Sequence, residues 1–98
     1  QKKLYLGDIK MLINKHKDKR IGILSFDRYF DFIKKENQII LSNNSSLLEA
    51  SKNLYASLYK LDNMKNIDII LTSLVEDTLI GKTINNRLIK SAEKDEEY

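Results

Sequence analysis

The sequence predicts an α/β domain of the three-layer, Rossmann-like kind, with a small, mainly parallel sheet of about four strands. Three observations predict it. Short apolar runs alternate four times with helical patterns along the 98 residues, the pattern left by strands joined through helical crossovers. The run IGILSF, Ile21 to Phe26, is nearly continuous in apolar character, as suits a strand covered on both faces. The chain carries no proline, no Gly/Ser linker and no internal repeat, so 1–98 reads as one domain around one modest core.

KLYLG, Lys3 to Gly7, opens as the first strand. Asp8 can cap a helix whose apolar positions are Ile9, Leu12 and Ile13. IGILSF is the second strand. DRYFDFIKKEN is expected to be a short helix capped by Asp27, with Tyr29, Phe30 and Ile33 on its buried side. QIILS, Gln38 to Ser42, is the third strand. The segment NNSS follows, and then the clearest helix. Ser46 and Glu49 have capping-box spacing, and Leu47, Ala50, Leu54, Leu58 and Leu61 make one stripe, widened by Tyr55. NIDIILTSL, Asn66 to Leu74, is the fourth strand. VEDTLIGK reads as a loop or a ragged helix start, and GKTINNRLIKSA, Gly81 to Ala92, as the last helix with Ile84, Leu88 and Ala92 on its buried side. Crossovers are expected to be right-handed. The expected strand order is 3-2-1-4, with the long third helix crossing to the far edge. Four strands and four helices use most of the apolar residues, which leaves little for a deep pocket.

Composition excludes several chemistries. There is no cysteine, so disulfides, thiolate catalysis and Cys-bound zinc are all absent. The lone histidine, His16, rules out a His-based metal cluster within one copy and reads as a solvated residue near a helix end. Metal sites are therefore expected to be none. The formal net charge is +3 and the isoelectric point about 9.1. Only Lys15 to Arg20 clusters its cations. There they complement a helix C-terminus, and a phosphate-contacting patch is the alternative. No apolar run nears the roughly 20 residues of a membrane span, and QKKLYLG lacks the apolar core of a signal peptide. The expected location is cytoplasmic, with no membrane partner. The missing initiator Met suits a piece cut from something longer.

In open parallel sheets ligands bind beyond the carboxyl ends of the strands. Those ends offer Gly7, Asp8, Ser25, Asp27, the segment Ser42 to Ser46, Thr72 and Ser73. Asn43, Asn44, Ser45 and Ser46 precede a helix and could hold an anion on free backbone N–H groups; capping of that helix explains the same residues. No G-x-G-x-x-G follows the first strand and no P-loop occurs. A receiver-type phosphoacceptor site needs carboxylates where this chain has Ser42 and Asn43. The acidic pairs Glu96 with Glu97 and Glu76 with Asp77 read as solvated carboxylates, and the acidic tail is expected to fray. No catalytic residue is assigned.

Read together, NLYASLYKLD, NIDIILTSL and GKTINNRLIKSA resemble the C-terminal domain of threonylcarbamoyl-AMP synthase, the two-domain tRNA-modification enzyme. The resemblance is carried by Asn53, Leu54, Tyr55, Leu61 and Asp62 on the helix and by Asp68 on the strand. It continues through Gly81, Ile84, Asn86, Arg87, Leu88 and Ala92 at the end. KLYLG and IGILSF are similar to that domain's first two strands. Where the family's turn often has two glycines, this chain has Leu79 and Gly81; Thr83 and Ser91 stand in place of alanines.

The resemblance implies a non-catalytic accessory domain. The parent enzyme would join threonine, bicarbonate and ATP into threonylcarbamoyl-AMP, a nucleotidyl transfer that releases pyrophosphate. ATP and Mg would belong to that parent, with no cofactor in this chain. The implied partners are an N-terminal catalytic domain in the same chain and further tRNA-modification proteins, with direct tRNA contact left open. Asn53, Asp62, Gly81, Asn85, Asn86 and Arg87 are the interface or ligand candidates. For Arg87 two readings stand: it pairs with a carboxylate such as Asp62 or Asp68 and fixes the helix, or it joins Asn85 and Asn86 in facing the catalytic domain or a phosphate. The alternative function is a free-standing nucleotide- or anion-binding α/β module.

Overall fold

A computed structural model describes residues 2–93. Four strands, β1 (Lys3–Leu6), β2 (Ile21–Ser25), β3 (Gln38–Ile40) and β4 (Ile69–Thr72), form one sheet in which every pairing is parallel. Among the described residues three α-helices accompany it: α1 (Ile9–Lys15), α2 (Leu47–Asp62) and α3 (Leu79–Glu93). One face of the sheet, through Leu4, Leu24 and Ile70, packs under Leu54 and Leu61 of α2 and Ile84 and Leu88 of α3. The other, through Ile21, Ile23, Ile69 and Leu71, packs under Ile9 of α1, with Phe30 and Ile33 closing over it. The three-layer, Rossmann-like architecture expected from the alternation is therefore present.

The strand order corrects the expected one. It is β1-β4-β2-β3, so β4 inserts between β1 and β2 instead of lying at an edge. Burial explains why. All four residues of β4 are buried, whereas β1 buries only Leu4 and leaves Lys3 and Tyr5 partly solvated. A strand apolar on both faces gains most at the centre; one that carries a lysine is suited to the edge. The connection through α2 thus passes one strand, not the whole sheet.

The expected second helix is the larger correction. Residues 27–34 form turns and irregular backbone, and only Lys35–Asn37 makes a single 3-10 turn. Asp27 caps nothing; its carboxylate accepts a hydrogen bond from Ser45 Oγ at 2.9 Å. The cause is a buried side chain from the next strand. Gln38 Oε1 accepts the N–H of Phe30 (2.8 Å), and Gln38 Nε2 donates to the carbonyls of Phe30 (2.9 Å) and Ile33 (2.7 Å). A glutamine that takes these three backbone groups holds them out of a helical ladder.

The helix ends match their capping residues. Asp8 accepts from Met11 N–H at 3.0 Å, and Ser46 from Glu49 N–H at 3.1 Å. His16, expected in solvent, is half-buried at the end of α1, its ring 4.2 Å from that of Tyr5. α3 starts at Leu79, so Gly81 lies inside its first turn and not in the turn before it. A Cβ there would collide with the carbonyl oxygen of Glu76. Close backbone approach, not a special φ, is what this glycine permits. Of the acidic tail, residues 94–98, including Glu96 and Glu97, lie outside the described residues.

Candidate functional site: the carboxyl ends of the strands

The loops beyond the carboxyl ends are tied down by the protein's own side chains. After β3, Ser42 is buried, and its Oγ accepts the N–H groups of Asn44 (3.3 Å) and Ser46 (2.9 Å) while donating to Glu49 Oε1. An oxygen thus already sits where the N–H groups of 43–46 could have held an anion. Ser45 takes a left-handed φ of 56° and bonds Asp27, and Asn43 is exposed. Ser46 caps α2, but Glu49 reaches Ser42 rather than closing the reciprocal bond to Ser46 N–H. The capping-box spacing is therefore half realised.

Asn53 Nδ2 donates to the carbonyl of Leu41 at 2.9 Å, fixing the end of β3 against α2. Beyond β4, Asn85 is 7% exposed and clasps Val75 on both sides. Its Oδ1 accepts the Val75 N–H at 2.8 Å, and its Nδ2 donates to the Val75 carbonyl at 3.0 Å. Thr78 Oγ1 accepts the N–H of Gly81 at 3.2 Å, and Thr72 Oγ1 donates to the Leu24 carbonyl at 2.8 Å. Asn86, the next residue, is exposed. Around these closed loops, Leu48, Leu74, Leu79 and Ile80 are exposed, Leu79 by 86%.

The remaining candidates fall elsewhere. Asp62 closes the start of the chain onto α2: its Oδ1 accepts the Lys2 N–H at 2.6 Å, and its carbonyl accepts Lys2 Nζ at 2.7 Å. Asp68 pairs with Arg20, accepting from Nη2 at 2.9 Å and Nε at 3.2 Å. Arg87 therefore pairs with neither, against the first reading of that residue. Its guanidinium lies over the Tyr55 ring, 4.6 Å from the centroid, and its buried Nε has no hydrogen-bond partner among the described residues. Arg87, Tyr55, Lys2 and Asp62 line an open cleft of about 480 Å³. Side-chain hydrogen bonding and charge from Arg20 hold the Asp68 carboxyl below its ordinary range, and Asp68 raises the Arg20 guanidinium in return.

Sequence reading missed Ser42 and Gln38 as organising side chains. For Ser42 the signal was there, a hydroxyl seven residues before Glu49. Gln38 gave no such sign, because its partners depend on how the loop returns over β2.

Fold and strand ends together define a small all-parallel α/β domain of Rossmann-like type, whose carboxyl-end loops are tied by the protein's own hydrogen bonds. Comparison with individual curated proteins returned no match. The family model described as threonylcarbamoyl-AMP synthase, C-terminal domain, matches residues 2–93. The chain belongs to this family.

Proposed function

We propose that this chain is a non-catalytic accessory domain of a threonylcarbamoyl-AMP synthase, docking through the carboxyl-end edge of its sheet onto a catalytic domain in the same polypeptide. In that setting it supports the formation of threonylcarbamoyl-AMP from threonine, bicarbonate and ATP for tRNA modification in the cytoplasm. The ATP and Mg sites belong to the catalytic domain. One observation carries the reading. The edge where an open parallel sheet ordinarily takes its ligand has the N–H groups of Asn44, Ser46 and Val75 and the amide of Asn85 engaged internally, and it exposes Leu74, Leu79 and Ile80. Leu79 and Ile80 are consecutive, with Leu74 in the loop just before them, and exposed apolar side chains gathered in one segment suit a protein interface better than a nucleotide. In the same segment the exposed pair Asp77 and Lys82, 3.0 Å apart, supplies polar neighbours.

Two measurements test this. Calorimetric titration of the 98-residue chain with ATP is expected to give no binding. In the two-domain enzyme, Leu79→Asp is expected to lower threonylcarbamoyl-AMP formation several-fold while the chain's own melting temperature holds, since Leu79 is a surface residue. Micromolar ATP binding by the chain alone would instead support the free-standing nucleotide module.

A further inference from the structure

The opposite side of the sheet carries a second cleft, about 700 Å³, between α1 and the irregular loop that follows β2. It shares no residue with the docking edge. Lys10, Lys17, Lys19 and Arg28 line it against a single carboxylate, Asp31. That is a local net charge of +3, equal to the formal net charge of the whole chain.

Aromatic rings are interleaved with this charge. Tyr29 is half-exposed, and Phe32 is 96% exposed. Phe32 also sits at φ 75°, a left-handed conformation that bulky side chains rarely adopt. Exposure and backbone conformation are both unfavourable for a phenylalanine, and both are imposed by the same device. The Gln38 amide bonds the backbone on either side, at Phe30 and Ile33, so the loop is pinned and its tip turned outward. The ring is held at the rim by a buried anchor. Strain maintained by the surrounding structure is the kind of outlier from which a functional hypothesis starts.

The geometry points to a binding surface for a short single-stranded nucleic acid, with phosphates on Lys17, Lys19 and Lys10 and a base stacked on Phe32. A cationic groove combined with presented aromatic faces is the chemistry of sequence-tolerant single-strand binding. An acidic polypeptide would use the lysines but would leave the outward ring without a planar partner. A duplex hides its base faces and could use only the charge. Arg28, one of the lining cations, lies 4.7 Å over the Phe30 ring, and Lys35, 5.1 Å over Tyr29, flanks the site and adds to its positive potential.

The test uses the 98-residue chain and a dye-labelled oligouridylate of about ten nucleotides, its deoxy counterpart, a duplex of equal length and polyglutamate, followed by fluorescence anisotropy. Both single strands are expected to bind more tightly than the duplex or polyglutamate. Phe32→Gly is expected to weaken single-strand binding about fivefold to a hundredfold, the range of one lost base stack. The same variant is expected to melt no lower than the parent, because glycine accepts positive φ freely. Lys17→Ser with Lys19→Ser is expected to reduce the slope of log affinity against log salt by about 1.4, two single-strand phosphate contacts. The proposal is overturned by single strands that do not bind, by duplex or polyglutamate binding as well as they do, or by Phe32→Gly binding like the parent. Because the docking edge plays no part, each of these results is independent of the accessory role.

Discussion

Arg87 bridges α3 to α2 by lying on a tyrosine ring, not by meeting a carboxylate. A cation–π contact at a partly exposed site contributes about 0.5–1 kcal/mol, so Arg87→Ala is expected to lower the melting temperature by about 2–8 °C in a domain of this size. In a Tyr55→Leu background that loss is expected to shrink; an equal loss in both backgrounds would show that the ring contributes nothing. Asp68, a carboxylate the sequence had offered to Arg87, pairs instead with Arg20: its Oδ1 accepts both Nε and Nη2, and its Oδ2 accepts the Arg20 backbone N–H. Because Asp68 is held below its ordinary range, its stabilising effect is present above the unfolded carboxyl pKa of about 3.9 and fades as pH falls through its lower folded value. Asp68→Asn should therefore melt below the parent near neutral pH, with the gap closing as the solution is acidified past about pH 4. A gap that stays constant into stronger acid would discount the pair. Both groups are exposed, so added salt should narrow the gap as well.

At the scale of elements, the segment between β2 and β3 shows how a nearby side chain overrides a local pattern. Asp27 followed by Tyr29, Phe30 and Ile33 has a helix's cap and spacing, and Phe30 and Ile33 do face the core. The backbone between them takes another route because Gln38, 6% exposed, fills its hydrogen bonds. Gln38→Leu leaves Phe30 N–H and two carbonyls without partners, so a loss of about 2–3 kcal/mol is expected. Hydrogen exchange at Phe30 should accelerate more than at α2. A variant as stable as the parent, with Phe30 still protected, would show that other groups hold the loop. The same pinning sets the outward ring of Phe32, so stability and the cleft are linked through one amide. Asn85 plays the equivalent part at the other edge, where it fixes the loop from β4 into α3.

For the whole molecule, the order β1-β4-β2-β3 places the latest strand in the middle of the sheet. The amides of Ile69 to Leu71 are then expected to be among the slowest to exchange, since core strands open only with global unfolding, and those of edge strand β1 should exchange faster. Slower exchange in β1 than in β4 would support the order 3-2-1-4 instead. The central strand also couples the two cores, because Ile70 faces α2 and α3 while Ile69 and Leu71 face α1. The docking edge and the cationic cleft therefore lie on parts of one body that share a central strand.

Much of this was legible in the residues themselves. Four apolar runs, the caps Asp8 and Ser46, and the stripes of the two long helices depend on local spacing, so they specified a parallel α/β domain. The wording of the last three segments was enough to name its family. The strand order, the loss of one helix, the engagement of Ser42 and Asn85, and the partners of Arg87 and Asp68 were decided only in the tertiary structure. Some are contacts between residues far apart in the chain, as Arg20 with Asp68 and Tyr55 with Arg87; others, as Gln38 with Phe30, Ser42 with Glu49 and Asn85 with Val75, are short-range bonds from a side chain to a loop or a neighbouring turn. Local periodicity carries no record of which neighbour wins. The cleft is the clearest case: a basic run that suited a helix end and an aromatic segment that read as a helix become one surface once β2 brings them together.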